Sequence, residues 1–394
     1  MITLNSETGK KEDLNSFLLM FYIFTPTLTL PLNDSFNSGL AVWIFTTIIL
    51  AVSFHLNYNK LNLRALMVII IIIAIMLFNY LLMPYKEEAL YFLVEFVKFG
   101  VIPLFLASNI KREESLLKYW LILGILNLII LLFYINDINQ REFNYMTFGR
   151  YSTLSFIIFS IYYYRKKFAK LMLPLMILSG TMIIIFGNRS SILVLFLILI
   201  YFALRNVVVK PTLKKCFKIH FYIVIIAFLI FNLKKIIYRI IDILENKNIA
   251  SYTFKKLGAL LDNNVQGFVS GRDSIYSNSI SMIYENNLMP KGIGYYQYST
   301  GEVYPHNIFL DIILTFGFVG IIFLLILIPL FILSYCKIND RNFREIIAIL
   351  SIYQFTILNF SGTFWSAPVV WMILGLFLSK GVKKTKRDRS QLFI

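Results

Sequence analysis

Three short stretches place an arginine or a histidine where a helix should begin. In Gly187-Asn188-Arg189-Ser190-Ser191 two apolar runs meet with almost no loop between them. Asn188 there suits a helix N-cap, and Arg189 falls on the first turn of the second run. In Ser270-Gly271-Arg272-Asp273 either Ser270 or Asp273 can cap a helix, and Arg272 projects from its start. In Tyr304-Pro305-His306-Asn307 a proline, a residue suited to a first helical turn, precedes the apolar stretch Ile308–Leu314 and puts His306 at its N-terminus. Unsatisfied N–H groups and the helix dipole favour anions at such positions. Arginine offers phosphate a bidentate fork. Together these residue types suit a substrate that carries phosphate.

Glu95 and Lys98 sit in the middle of an apolar run, three residues apart and so on one helical face. Ionisable groups inside a membrane cost about 2.5–3.5 kcal/mol each on insertion scales. Either the pair neutralises itself structurally, or Lys98 faces a cavity and helps to hold an anion. No phosphate-binding Walker loop, HExxH or GxSxG motif is present, and no Asp-x-Asp pair that would hold a metal on a sugar nucleotide. His55 and His220 fall at span ends and read as structural. Cys216 and Cys336 show no spacing that suggests a zinc site, a redox pair or a disulfide framework.

The elements that must position these residues are membrane spans. Of the 394 residues 58% are hydrophobic and only 15% charged, which excludes a soluble globular protein, a disordered chain and a fibrous repeat. Twelve runs approach the roughly 20 residues a spanning helix needs. They are Leu14–Leu32, Ser38–Leu56, Ala65–Pro84, Ala89–Ser108, Leu116–Asn136, Phe148–Tyr164, Leu171–Phe186, Ser190–Arg205, Ile219–Leu233, Ile308–Cys336, Arg344–Phe364 and Ala367–Lys380. The tenth is too long for one straight span, and Gly317 and Gly320 are expected to break it into a short outer helix and the span itself. Met1–Asn15 is polar and the run after it is flanked like a span, so no cleavable signal peptide is expected.

The net charge of +17 is an orientation signal. With both termini inside, most of the basic residues lie on cytoplasmic segments, while the short outer loops hold few, such as Lys86, Arg141, Arg150 and Arg189. The basic tail Lys380–Arg389 reads as an anchor on anionic lipid, not as a nucleic-acid arm. The expected fold is an all-α polytopic membrane protein of about 12 transmembrane helices, nine of them in residues 1–233 and three in 306–380, followed by a cytoplasmic tail over 381–394. Between spans nine and ten lies a large extracytoplasmic loop, residues 234–305, nearly balanced in charge and long enough to be functional. Within it Asp273–Asn287 has a partial amphipathic stripe, and Gly292-Ile293-Gly294 reads as a turn.

These residues resemble the bacterial O-antigen polymerase and O-antigen ligase superfamily, integral membrane glycosyltransferases of surface polysaccharide. The resemblance covers the whole architecture. Its specific stretches are Gly187–Ser191, Ser270–Ile275, Gly292–Gly294, and Pro305-His306-Asn307-Ile308-Phe309-Leu310 followed by Phe316-Gly317-Phe318-Val319-Gly320. The last block is the most diagnostic. The resemblance implies an inverting transfer, independent of metal and of any cofactor, on the outer face of the bacterial plasma membrane. The donor it implies is a glycan on an undecaprenyl diphosphate carrier, with Arg189 and Arg272 on the diphosphate and His306 orienting or deprotonating the acceptor hydroxyl. Lys98, Tyr304 and Asn307 are expected to join Arg189 and Arg272 in binding substrate. Membrane lipids, flippase proteins and chain-length regulators are the implied partners, and nucleic acid is not.

The preferred expectation is a polysaccharide repeat-unit polymerase for O-antigen or capsule, acting on the terminal sugar of a lipid-linked repeat unit. An O-antigen ligase, which transfers the finished chain to lipid A core, shares the same motifs. A lipid-linked oligosaccharide flippase is the alternative from another class, but transporters often show internal repeats and none is evident. Tyr276, Tyr295, Tyr296 and Tyr298 either stack on sugars or pack the loop.

Overall fold

The computed structural model describes residues 2–32, 38–58, 61–134, 145–208, 232–246, 251–262 and 271–380. The ninth expected span, Ile219–Leu233, lies almost wholly outside these residues, as do Cys216, His220, Ser270 and the tail after Lys380.

All regular structure among the described residues is helical. In chain order the helices are α1 (Ile2–Leu28), α2 (Ser38–Asn57), α3 (Leu63–Leu82), α4 (Lys86–Phe96), α5 (Ile102–Ser108), α6 (Glu113–Phe133), α7 (Tyr145–Tyr164), α8 (Ala169–Phe186) and α9 (Arg189–Val208). After them come α10 (Leu233–Asn246), α11 (Tyr252–Leu261), α12 (Arg272–Glu285), α13 (Tyr295–Thr300), α14 (Ile308–Cys336), α15 (Arg341–Leu358) and α16 (Pro368–Lys380). Among the described residues five helical stretches are long and apolar enough to cross a membrane: Leu63–Leu82, Lys86–Ser108, Glu113–Phe133, Ala169–Phe186 and Ile308–Cys336.

The chain divides into two compact units, one formed by Met1–Leu123 with Ile275–Ile394, the other by Gly124–Ser274. In the first unit the core gathers Ile69, Met76, Phe92, Phe96, Phe105, Ile293, Trp365 and Trp371. Phe96 meets the rings of both tryptophans, with centroids 6.3 Å from Trp365 and 4.8 Å from Trp371. These edge-to-face contacts suit the quadrupoles of aromatic rings. Between α4 and α5 the residues Val97–Val101 form a π-helical turn that contains Lys98. Such turns are rare and concentrate at functional positions. The Tyr22 hydroxyl donates to the Lys98 carbonyl.

Gly317 breaks α14, as the two glycines led one to expect, with φ 57° and ψ −140°. A side chain is nearly excluded from that conformation. A Cβ there would also run into the Leu288 carbonyl and lie 2.6 Å from the Pro290 nitrogen. Backbone groups beside the break are taken up by the segment after α12. Gly292 N–H donates to the Thr315 carbonyl and Phe318 N–H to the Leu288 carbonyl, both at 2.8 Å. Next to this clasp the buried amide of Asn79 pairs with Ile293, donating to its carbonyl at 3.0 Å and accepting from its N–H at 2.9 Å. The Gly292-Ile293-Gly294 turn is therefore fixed at the end of α3.

The second unit is built on small residues where helices cross. Asn127 of α6 donates to the Ser155 hydroxyl at 2.8 Å and to the Tyr151 carbonyl at 3.1 Å, and Ser155 donates to the Gly124 carbonyl at 2.9 Å. Polar side chains bridging closely approaching helices are a recurrent device in membrane proteins. In the segment expected to be a loop, α10 turns an apolar face of Ile237 and Leu244 onto Phe254 of α11, while Lys234, Lys235 and Arg239 are exposed.

Candidate functional site

Arg189 is the first residue of α9, three residues after α8 ends. Asn188 caps the helix as its sequence position suggests. Its side-chain oxygen accepts from Ser191 N–H at 2.9 Å, and its carbonyl accepts from Ile192 N–H at 3.1 Å. Asn188, Ser190 and Ser191 are buried and Arg189 is half-buried. The corner is tight because α7 presents Gly149 to it. A Cβ on Gly149 would lie 2.8 Å from the Ser191 hydroxyl and 2.9 Å from the Asn188 nitrogen. The hydroxyls of Ser190 and Ser191 are buried without a hydrogen-bond partner in the structure. A buried hydroxyl without a partner costs about 1–3 kcal/mol. Two of them beside a helix N-terminus and an arginine make a locus that an acceptor-rich anion would satisfy.

Arg272 opens α12, with Asp273 in the first turn and Gly271 in the left-handed region at φ 76°. Ser274 donates to the Gly271 carbonyl at 2.7 Å. Arg189 and Arg272 both belong to the second unit, and His306 belongs to the first.

Around His306 the first unit brings together Tyr304, Asn307, Asp311, Tyr276 and a turn after α15. Pro305 lies before the helix and not in its first turn, because Asn307 takes the cap, accepting from Phe309 N–H at 2.9 Å and Leu310 N–H at 3.2 Å. His306 is thereby left in the left-handed region, φ 57°, which is uncommon for a side-chain-bearing residue. Its carbonyl accepts from the Tyr276 hydroxyl at 3.1 Å, and its ring meets that of Tyr304 edge-on with centroids 4.7 Å apart. Its Nδ1 lies 3.2 Å from the Phe360 carbonyl oxygen. A carbonyl can only accept, so this contact requires the proton on Nδ1, which puts the basic lone pair of neutral imidazole on Nε2.

The eleventh apolar run extends to Phe364, past the turn that supplies Phe360. Helix α15 instead ends at Leu358. Gly362 turns the chain at φ 94°, and Ser361 and Thr363 are buried. The Ser361 hydroxyl is 3.4 Å from that of Tyr304. Thr363 donates to the carboxylate of Asp311 at 2.8 Å. The signal that could have found this turn is Asn359 with Ser361-Gly362-Thr363, turn chemistry between two apolar runs.

Lys98 lies on the π-helical turn, near enough to Glu95 for their charges to interact. Its ammonium is also 5.0 Å from the centre of the Phe99 ring. Of the tyrosines expected either to stack on sugars or to pack the loop, Tyr296 is buried, and Tyr295 and Tyr298 pack on Tyr85 with centroids 6.1 and 5.4 Å away. Burial, with Tyr295 beside it, pushes the Tyr85 phenol up to about 12. Tyr298 remains 60% exposed. Among the described residues no cluster of three metal-ligating side chains occurs. His55 is exposed and stacks near Tyr58, and Cys336 is a free, exposed thiol.

The long apolar helices mark a helical membrane protein. Residues 174–325 match the family model described as O-antigen ligase, a stretch that contains Arg189, Arg272 and His306. The match bears out the resemblance to the O-antigen polymerase and ligase superfamily. No curated protein and no solved structure matches the chain.

Proposed function

We propose that the protein is a polysaccharide repeat-unit polymerase of the bacterial plasma membrane, with both termini cytoplasmic and the reaction on the outer face. It transfers a glycan from an undecaprenyl diphosphate carrier to the terminal sugar of a second lipid-linked repeat unit. The observation that carries this reading is the His306 arrangement, with Nδ1 against the Phe360 carbonyl and the lone pair on Nε2. The acceptor hydroxyl gives its proton to Nε2 while its oxygen bonds to the anomeric carbon from the face opposite the diphosphate. The bond from that carbon to the diphosphate oxygen breaks, and the configuration inverts. Negative charge grows on the leaving diphosphate. Arg189 and Arg272, each at the start of a helix, meet that charge with guanidinium forks and helix dipoles. Preorganised donors of this kind are worth about 3–4 kcal/mol each. A diphosphate is already an activated leaving group, so neither a metal nor a covalent intermediate is required.

A second reading, transfer of the finished glycan to lipid A core, is favoured by the description of the matched family as O-antigen ligase. Reconstitution with purified lipid-linked repeat units alone separates the two. A growing ladder of products without lipid A core is expected for the polymerase. No product until core is added would replace it with the ligase.

A further inference from the structure

Residues 304–311 and 360–363 are stitched together at three points, each joining a polar group on one segment to one on the other. Tyr304 meets Ser361, His306 Nδ1 meets the Phe360 carbonyl, and the Asp311 carboxylate accepts from Thr363. The third contact needs explaining. Asp311 sits on the first turn of α14, its N–H bonded to the Asn307 carbonyl, and is only 8% exposed. A carboxylate taken out of water is expensive, and a single hydroxyl donor compensates it poorly. An apolar residue would pack this helix face at lower cost. What the carboxylate does provide is a fixed acceptor for Thr363, three residues beyond the carbonyl that His306 uses. Only Ser361 and Gly362, the latter at φ 94°, separate Thr363 from Phe360, so the place of Thr363 constrains the place of the Phe360 oxygen.

We propose that Thr363, anchored by Asp311, is a positioning residue that holds the Phe360 carbonyl on His306 Nδ1 and so keeps His306 in the tautomer whose Nε2 is basic. Without that anchor the carbonyl drifts from Nδ1, and the tautomer protonated on Nε2, which cannot accept a proton from the acceptor hydroxyl, becomes populated. The proposal rests on the reading of His306 as the base of glycosyl transfer.

The test combines turnover with a spectroscopic readout on the full chain in lipid. Thr363→Val removes the donor at constant shape, Thr363→Ser keeps it, and Asp311→Asn keeps a carbonyl acceptor without the charge. Thr363→Val is expected to lower kcat at least about tenfold, a share of the roughly hundred- to ten-thousandfold that a positioned general base contributes, with KM for the lipid-linked acceptor unchanged. Thr363→Ser and Asp311→Asn are expected to stay close to the parent. Wild-type turnover in Thr363→Val, or equal losses in Thr363→Val and Thr363→Ser, would overturn the proposal. The ring-nitrogen resonances of ¹⁵N-histidine, recorded with His55→Gln and His220→Gln so that only His306 reports, are expected to show Nδ1 protonated. Protonation at Nε2 in that protein would overturn the proposal even if the Thr363 variants did not insert. Full turnover in His306→Ala would instead sink the role of His306 as base, while the tautomer would still be judged by the resonances.

Discussion

At the residue scale the local signals were legible and the distant ones were not. Asn188, Arg189 and Ser191 lie within four positions, so the cap could be read from residue types alone, and the structure contains it. His306 could be placed at a helix start, but its partner Phe360 is 54 positions away, and no local pattern encodes such a contact. Asp311 and Thr363 escaped for the same reason, and because each lay inside an apolar run where a single polar residue blends with its neighbours. For Arg189, replacement by alanine is expected to abolish polymer while the protein still inserts, and Arg272→Ala likewise. Arg189→Lys keeps the charge and loses the fork, so its activity is expected to fall between that of the parent and that of Arg189→Ala. Chain-length profiles on gels, set against the amount of protein in the membrane, check all three. A normal profile in either alanine variant would remove that arginine from the site.

At the element scale most helices appear where periodic apolar runs end at polar residues or glycine. The second, seventh, tenth and twelfth runs lie within three residues of α2, α8, α14 and α16. The π-helical turn at Val97–Val101 was not legible, because one extra residue per turn leaves no readable mark in a run whose only charged residues are Glu95 and Lys98. The break at Gly317 was, because two glycines interrupt a run too long to span once. Gly317→Ala forces a Cβ into a glycine conformation and against Leu288. It is expected to cost at least about 1–3 kcal/mol, the range for strained backbone. A lower Tm of the detergent-solubilised protein is the check, and an unchanged Tm would mean the kink does not need glycine.

At the scale of the whole molecule the asymmetry of basic residues makes a topological prediction. Cys336 ends α14 just before the basic stretch that includes Lys337, Arg341 and Arg344. In a Cys216→Ser variant a membrane-impermeant maleimide is expected to label Cys336 in inverted vesicles and not in right-side-out ones. The opposite pattern would reverse the orientation, and with it the side on which His306 works. The clasp at Gly317 has a dynamic consequence. A broken helix ordinarily invites a hinge, yet here Thr315 and Phe318 are tied to residues 288–292 and Asn79 holds the next position. A break filled in this way is stiff, and the two arms of α14 should tilt together as a bent lever. Slow deuterium uptake at the amides of Gly292, Ile293 and Phe318 would report that stiffness. Any opening that admits a bulky substrate must then flex the chain somewhere else.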